Sequence, residues 1–328
     1  MNATLLYPAQ CFLGEGPFWH AGRESCFWVD IENRRLYEYP WQVSPPGTTA
    51  IFPVQSTVTT LVGESSFSEA GMTRQSPPPD TATVWQFDRR VSLILPDKQG
   101  RLLLGMQGGI GVFDPATGEL QWLLDIEKDR ARHRCNDGGI DCEGRLWVGT
   151  LQLDFDEGAG SLYCIGEDKI PRKKLGSVTI SNGMVWSLDN SRLYYIDSPR
   201  RTVQSFLFDR ATGDLQFEKI AIRIPPDMGT PDGMTIDEEG MLWVAHWGGF
   251  GVYRWDPLTG ELLDSVKLPV PNASSCAFAG KELDHLVITT ARQDLSEEEL
   301  MRYPQSGDVF LSKMPVRGII DNSCKLFL

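Results

Sequence analysis

The 328-residue sequence predicts an all-β fold, a six-bladed β-propeller, from two observations. A unit that joins a polar glycine turn to a short apolar strand recurs along the chain, most clearly in GGIGVFDPATGEL at 108–120 and GGFGVYRWDPLTGEL at 248–262. Short strands rich in Val, Ile, Leu, Trp and Tyr alternate with Gly, Asn or Asp-Pro turns, which disfavours long helices. Six such units of about 40–50 residues are typical of propeller blades.

One turn residue marks each unit, and in order the markers are Gly22, Gly100, Gly144, Asn190, Gly240 and Glu282. The first interval is 78 residues, and the others are 42 to 50 residues. Blades of one propeller have similar lengths, so the regular spacing favours a single domain over 1–328. A short surface helix is expected at 296–301, where Ser296 can cap the first turn and Glu299 can answer it.

The segment 43–82 accounts for the long first interval. It is rich in Ser, Thr and Pro, and such a composition buries too little apolar surface to offset the entropy of ordering. We therefore predict a flexible insertion at 43–82, within the first blade-to-blade connection. A lid over a substrate site is one alternative, and a mistaken exon or reading frame is another.

Charge, hydropathy and cysteine content exclude several classes of protein. Lys and Arg number 31 against 44 Asp and Glu, so the net charge of −13 disfavours nucleic-acid and membrane partners. No apolar run approaches the roughly 18 residues of a membrane span, and the first residues lack the pattern of a secretory signal. We expect a cytoplasmic monomer or weak homo-oligomer. The seven cysteines form no CxxC pair, and we expect reduced, buried thiols.

Polar residues interrupt the apolar pattern at similar places in four units. The segments are LGEGPFW at 13–19, RCNDGGID at 134–141, ISNGMVWS at 180–187 and TPDGMTID at 230–237. Each carries one side chain with a hard oxygen or an amide, and these are Glu15, Asn136, Asn182 and Asp232. Equivalent positions of successive blades converge near the propeller axis, so we expect the four to meet there. Taken alone, Asn136, Asn182 and Asp232 are equally well explained as turn formers, and Glu15 as a merely exposed residue.

Together these segments resemble the family of regucalcin and the gluconolactonases, six-bladed propellers that hydrolyse sugar lactones with a divalent cation. The resemblance extends over nearly the whole chain except 43–82, and it includes the tail ITTARQDLSEEELMRYPQSGDVF. It implies metal ligands at Glu15, Asn182 and Asp232, and substrate contacts at Arg134 and Asn136. In LDFDEGAG at 153–160 the sequence departs from relatives that carry an acidic substrate contact. That role stays unassigned among Asp154, Asp156 and Glu157.

The chemistry of these residues is consistent with that implication. Two carboxylates and one amide oxygen suit a hard divalent ion, with Ca first among Ca, Mn, Mg, Zn and Fe. The ion would polarise the carbonyl of a small sugar lactone, and Asp232 would act as the general base. Arg134 would hydrogen-bond sugar oxygens, and Asn136 would orient ring hydroxyls. We therefore predict a gluconolactonase- or arabinonolactonase-like hydrolase.

Two other functional classes stay open. In a non-enzymatic calcium-binding regulator or interaction propeller the same ion would be structural, and another lactone or ester could serve as substrate on the same scaffold. A serine triad has little support, because the chain has four histidines and no GxSxG motif.

Several conspicuous residues are given structural roles or left open. His246 suits a base near the channel or a packing role equally well. Asp30 and Asp197 are expected to brace the mouth. We expect Trp28, Trp147 and Trp243 to be core residues, and Trp247 to lie at a blade edge where it has a smaller chance of stacking on a sugar.

Overall fold

Short strands account for almost all of the regular structure. The computed structural model describes residues 1–41, 57–60, 81–320 and 322–325, and within these the chain forms 25 strands in six sheets. In chain order the strands are β1 Thr4–Tyr7, β2 Gly14–His20, β3 Ser25–Asp30, β4 Arg35–Pro40, β5 Thr57–Thr60, β6 Thr83–Gln86, β7 Val91–Pro96, β8 Leu102–Met106, β9 Gly109–Asp114, β10 Glu119–Asp125, β11 His133–Ile140, β12 Leu146–Gln152, β13 Gly160–Ile165, β14 Pro171–Val178, β15 Ser181–Trp186, β16 Arg192–Asp197, β17 Thr202–Phe208, β18 Leu215–Arg223, β19 Thr230–Ile236, β20 Leu242–Trp247, β21 Gly251–Trp255, β22 Leu262–Lys267, β23 Ala273–Ala279, β24 His285–Thr290 and β25 Val309–Lys313.

The six sheets are the blades of a propeller, which confirms the predicted fold class. Blade 1 contains β2, β3, β4, β6 and β5; blades 2 to 5 contain β7–β10, β11–β14, β15–β18 and β19–β22; blade 6 contains β23, β24, β25 and β1. Neighbouring strands are antiparallel except β5 and β6. The first strand of each blade contacts the first strand of the next, so β2, β7, β11, β15, β19 and β23 are the inner strands around the channel.

The predicted glycine turns connect the first two strands of a blade, and an aspartate shapes them. In blade 3 Asp141 Oδ1 accepts hydrogen bonds from the backbone N–H groups of Glu143 and Arg145, both at 3.0 Å. Gly144 has φ +77°, a conformation that a glycine adopts without strain. Asp141 Oδ2 also accepts from the indole of Trp147 at 2.8 Å, so the turn is tied to the blade core.

The hydrophobic core is divided among the blade interfaces. The described part of the chain contains six apolar clusters, and each joins residues from two adjacent blades. The cluster that contains Tyr7 and Val309 joins blade 6 to blade 1. Trp28, Trp147 and Trp243 have no exposed surface, as expected from their shared sequence position. Because every blade buries both faces against neighbours, stability depends on closing the ring.

The ring closes through the N-terminal strand. β1 pairs antiparallel with β25, Leu5 opposite Phe310 and Tyr7 opposite Val309, so blade 6 combines one strand from the start of the chain with three from its end. The side chain of Tyr7 is buried in the cluster between blades 6 and 1.

A C-terminal strap, residues 316–320 and 322–325, lies across the far ends of the inner strands. Gly318 bridges to Asp237 beyond β19, Asn322 Nδ2 donates to the Ile140 carbonyl at 3.1 Å, and the Cys324 N–H donates to the Pro96 carbonyl at 3.1 Å. Strap residues and all six inner strands line a cavity of about 390 Å³ at this end of the channel.

The other expectations have different outcomes. The predicted insertion at 43–82 falls mostly outside the described residues, which within it are β5, 81 and 82. Its predicted place between two blades is wrong, because β4 before it and β6 after it pair within blade 1. The expected helix is α1, Glu297–Arg302, with the reciprocal capping bonds of Ser296 and Glu299. Three short 3₁₀ turns cover Ala21–Arg23, Ser198–Arg200 and Pro226–Met228. None of the seven cysteines is disulfide-bonded; six are buried, and Cys142 is half-buried. No helix in the described part has the length and apolarity needed to cross a membrane.

Candidate functional site

Each inner strand has an irregularity at the same level of the channel. Its register against the next strand breaks between Glu15 and Phe18 in β2, and at the equivalent place in the other five. A β-bulge re-aims side chains out of the normal alternation of a strand. One polar residue holds the equivalent position in each break, and these six are Glu15, Ser92, Asn136, Asn182, Asp232 and Ser274. Asp137 follows Asn136 inside the break of β11.

Four of these six side chains line one cavity of about 260 Å³ at the near end of the channel. The lining comprises Leu13, Glu15, Arg134, Asn136, Leu151, Phe155, Ile180, Asn182, Ser198, Thr230, Pro231, Asp232, Trp247, Gln293 and Asp294. All five residues named by the sequence analysis therefore meet in one place.

Hydrogen bonds fix the orientation of the two amides. Asn136 Nδ2 donates to Asn182 Oδ1 at 2.9 Å and to the Ser181 carbonyl at 2.6 Å. Asn182 Nδ2 donates to Ser198 Oγ at 2.7 Å, so its oxygen is turned towards Asn136. An amide oxygen has two lone pairs, and one of those on Asn182 stays available for a further partner.

The carboxylates of the site are crowded and desolvated. Burial, with the nearby charge of Asp137, raises the pKa of Glu15 to about 8. Burial and the charges of Glu15 and Asp137 hold the pKa of Asp232 well above the usual range. Burial also raises the pKa of Asp137 to about 6. Glu15 and Asp232 line the cavity, and the charge of Asp137 acts on both from outside its lining. A cation that stabilises the ionised forms of the two lining carboxylates is therefore favoured in this cavity.

Arg134 supplies the positive charge of the site. It is 5% exposed, and burial lowers its pKa to about 10. Its guanidinium donates to Asn136 Oδ1 and, at 3.1 Å, to the Cys135 carbonyl. Its Nε atom is buried without a hydrogen-bond partner in the described part of the chain. A buried donor left unpaired is costly, so this atom is suited to receive a ligand oxygen.

Two aspartates outside the cavity hold the strands that carry these groups. Asp30 accepts hydrogen bonds from the backbone N–H groups of Phe12 at 2.9 Å and Leu13 at 3.2 Å, just before Glu15. Asp197 does the same for Thr179 at 3.1 Å and Ile180 at 3.0 Å, just before Asn182. Their predicted bracing role is confirmed.

Glycines allow the inner strands to approach closely at this level. A Cβ atom on Gly183 would lie 2.7 Å from the Met234 nitrogen of the next blade, and one on Gly233 would lie 2.1 Å from Ser275 Oγ. Each glycine follows a predicted ligand, Asn182 or Asp232. Only glycine lets the two backbones pack so tightly that both polar side chains reach the axis.

The donor set suits a divalent ion only if the amide takes part. Among the residues that the structure describes, no three His, Cys, Asp or Glu side chains are arranged to hold a metal. Glu15 and Asp232 supply two carboxylates, and Asn182 supplies the third oxygen. Hard oxygen donors and two buried carboxyl groups fit calcium, magnesium or manganese better than a thiolate-preferring metal.

Other candidates lie elsewhere or have different roles. His246 is completely buried, its Nδ1 lies 2.8 Å from the Met228 carbonyl, and burial lowers its pKa to about 4; it is absent from the cavity lining, which favours packing. Trp247 lies at the end of β20 and lines the cavity. Of the loop 153–160, only Phe155 lines it, and Asp154, Asp156 and Glu157 do not.

Sequence reasoning missed the residues contributed by the other blades and by the loops. Ser92 and Ser274 occupy bulge positions equivalent to Glu15, and Ser92 Oγ donates to the Cys135 carbonyl at 2.7 Å. The alignment of Ser92 and Ser274 with the polar residues of the other units was the sequence signal that could have identified them. Gln293 and Asp294 belong to the tail segment that contributed to the resemblance, but no role was assigned to them, because their loop has no periodicity.

Comparison with known proteins identifies the family. A family model described as the SMP-30/Gluconolactonase/LRE-like region matches residues 13–292. Regucalcin from Oryctolagus cuniculus is 31% identical over 318 residues, covering 95% of this chain and 94% of the relative. A Bacillus subtilis strain 168 protein with the provisional name sugar lactone lactonase YvrE is 28% identical over 318 residues, 97% of each chain.

A solved structure shows the same fold. The calcium-binding protein regucalcin from Agrobacterium tumefaciens superimposes with a TM-score of 0.83 at 24% identity, covering 99% of this chain and 98% of that one. At this identity the likeness concerns the fold alone. The family model covers most of the chain and the relatives align along nearly all of it, so this protein belongs to the SMP-30/gluconolactonase/LRE-like family.

Proposed function

We propose that this protein is a metal-dependent lactonase that opens a small sugar lactone to the corresponding aldonic acid. One observation carries the proposal: two buried carboxylates, an oriented amide oxygen and a buried arginine with an unpaired donor share one cavity. A purely structural ion site has no need of the arginine. The naming of one relative as a sugar lactone lactonase supports the same reading.

Glu15, Asn182 and Asp232 would hold the divalent ion, with calcium the first candidate and Mn, Mg, Zn or Fe as alternatives. Bound there, the ion would supply Lewis-acid polarisation of the lactone carbonyl and charge neutralisation of the two carboxylates.

Protein side chains would perform the remaining steps. Asp232 would accept a proton from the attacking water as oxygen adds to the carbonyl carbon. The ring carbon–oxygen bond would then break, and the proton would pass to the departing ring oxygen. The bound ion would hold the Asp232 carboxylate in its ionised form, so that it can accept this proton. Arg134 Nε would donate to a substrate oxygen, and Asn136 would orient a ring hydroxyl.

The size of the cavity limits the substrate. At about 260 Å³ it is smaller than the roughly 300–1,000 Å³ of sites for drug-sized ligands. A lactone of a single monosaccharide ring is the matching size class.

The decisive experiment measures proton release from a panel of aldonolactones after chelation and after each metal is restored. We expect release to stop on chelation and to return with at least one ion. Asp232→Asn should lower turnover by roughly 100-fold or more while the protein stays folded. The exposed Asp264, away from the cavity, provides the control Asp264→Asn with unchanged turnover.

The competing function predicts a different result. If calcium binds by calorimetry but no lactone releases a proton with any metal, the protein is a calcium-binding or interaction propeller rather than a hydrolase. If another ester is opened while sugar lactones are not, the proposed metal-dependent hydrolysis is supported and the proposed substrate class is wrong.

A further inference from the structure

Two residues with left-handed backbone lie on the rim of the substrate cavity. Phe155, with φ 59°, is in the loop between β12 and β13, and Asp294, with φ 63°, is in the loop between β24 and α1. The left-handed region is unfavourable for a phenylalanine, at a cost of about 1–2 kcal/mol.

The Asp294 carboxylate is free to receive a ligand. The side chain is exposed, and within the described residues it makes no hydrogen bond or ion pair. Its loop is nevertheless held firmly, because the Gln293 N–H donates to the Phe12 carbonyl at 2.9 Å and Asn272 Nδ2 donates to the Gln293 carbonyl at 2.9 Å. Phe12 precedes the strand of Glu15, so Asp294 has a fixed relation to the carboxylates of the site.

The acidic loop at 153–160 does not supply another free carboxylate to the cavity. Both oxygens of Asp154 are bonded to Arg132, and one also accepts from Gln152 Nε2 at 2.9 Å. Asp156 and Glu157 are not among the residues that line the cavity. The loop contributes only the ring of Phe155, which is 45% exposed, and therefore an apolar wall.

Exposure rises from the floor of the cavity to its rim. Asn182 is 6% exposed and Asp232 8%, whereas Phe155 and Asp294 face the opening. A ring whose carbonyl reaches the floor must present its far side to the rim. A carboxylate there accepts hydrogen bonds from hydroxyl groups, and an aromatic ring packs against the carbon–hydrogen face of a sugar.

We propose that Asp294 accepts a hydrogen bond from a ring hydroxyl of the substrate while Phe155 packs against the ring face, so that this pair selects hydroxylated lactones. The inference rests on the proposed function. The contact is remote from the reacting carbonyl and is present in the ground state and the transition state alike. Its loss should therefore raise KM and leave kcat nearly unchanged.

Asp294→Asn is the sharpest test, because asparagine tolerates the left-handed backbone as well as aspartate does. We expect its KM for an aldonolactone to rise about tenfold, because the amide oxygen that replaces the carboxylate accepts a hydrogen bond without the charge that strengthens it. For δ-valerolactone, which has no hydroxyl, KM should not change. The control Glu157→Gln removes an exposed charge of the neighbouring loop and should match the wild type with both substrates. Equal effects of Asp294→Asn on the two lactones, or equal effects of the two variants, would overturn the proposal.

A binding measurement separates this inference from the catalytic one. The probe is a non-hydrolysable cyclic polyol ether with the ring size of an aldonolactone, titrated by calorimetry into the calcium-loaded protein. We expect the wild type to bind about tenfold more tightly than Asp294→Asn. If no lactone is opened but this difference is found, the proposed activity fails and the rim contact stands. Equal affinities, or no binding to the wild type, would refute the rim contact whatever the activity.

Discussion

At the scale of single residues, the site has more buried acidic groups than basic ones. Glu15 and Asp232 are desolvated in one cavity, where the nearby charge of Asp137 raises the pKa of both and the charge of Arg134 lowers it. The local pattern in the sequence sufficed to name Glu15 and Asp232, because a carboxylate beside a glycine is conspicuous in an apolar strand. It did not identify Asp137, since an Asn-Asp-Gly run is an ordinary turn sequence.

This imbalance predicts an unusual pH dependence for the chelated protein. The pKa of Glu15 is about 8 in the folded chain against 4.5 for an unperturbed glutamic acid. As pH rises from about 5 to 8 the unfolded chain releases this proton and the folded chain retains it, so the free energy of unfolding falls. We expect the Tm to drop by roughly 5 °C or more over this range, measured by calorimetry.

Calcium should flatten that dependence, because it stabilises the ionised form of the same carboxylates. Asp232→Asn, which removes one of the repelling charges, should also reduce it without any metal. A Tm of the chelated protein that rises between pH 5 and 8 would contradict the assignment of Glu15 and Asp232 as desolvated neighbours.

At the scale of the strand, the bulge is the device that creates the site. Turn residues and apolar runs were sufficient to predict which segments become strands, but not the shift of register inside each inner strand. That shift depends on the close contact of neighbouring blades, which is a tertiary property. Ser92 and Ser274 could be aligned with the other units, but without knowledge of this shift their side chains could not be placed at the axis. The loops of Phe155 and Asp294 carry no periodicity that would assign them a role.

Gly183→Ala tests the packing that the bulges require. Its added Cβ would meet backbone atoms of the next blade, Met234 N at 2.7 Å and Asp232 O at 2.9 Å, which cannot move aside as a flexible side chain can. We expect a loss of roughly 1–3 kcal/mol in the free energy of unfolding, measured by denaturant titration, and weaker calcium binding through the displaced Asn182 and Asp232.

The matched control is Gly176→Ala in β14, where the nearest atom to the new Cβ is Lys173 Cδ at 3.8 Å. It should leave stability and calcium affinity within about 0.5 kcal/mol of the wild type. Equal stability of the two alanine variants would show that the inner strands accommodate a methyl group at Gly183, which would contradict the close packing described here.

At the scale of the whole molecule, the propeller fold could be predicted because six similar units repeat along the sequence. The length of the repeat alone strongly favours this fold class. How the ring closes was not predicted. The repeat markers begin at Gly22 and do not reveal that residues 4–7 complete the last blade. Pairing across so great a separation leaves no local pattern for sequence reasoning to detect.

Removal of residues 1–7 should therefore destabilise the entire propeller. It deletes β1, exposes the edge of β25 and takes Tyr7 out of the cluster between blades 6 and 1. We expect a loss of at least about 3 kcal/mol in the free energy of unfolding, with a broadened thermal transition. Leu5→Ser, at an exposed position of the same strand, should cost less than about 1 kcal/mol. A truncated protein that melts as sharply and as high as the wild type would refute the closure.

The pairing of β1 with β25 also determines how long β1 stays unpaired during synthesis on the ribosome. Thr4 bonds to Leu311, 307 positions later, so the first strand to be translated must await the last. At about 5–20 residues per second this delay is roughly 15–60 seconds. Until β25 has been translated, β1 is a nascent strand without its partner, and the newborn chain is exposed to mispairing and to chaperones.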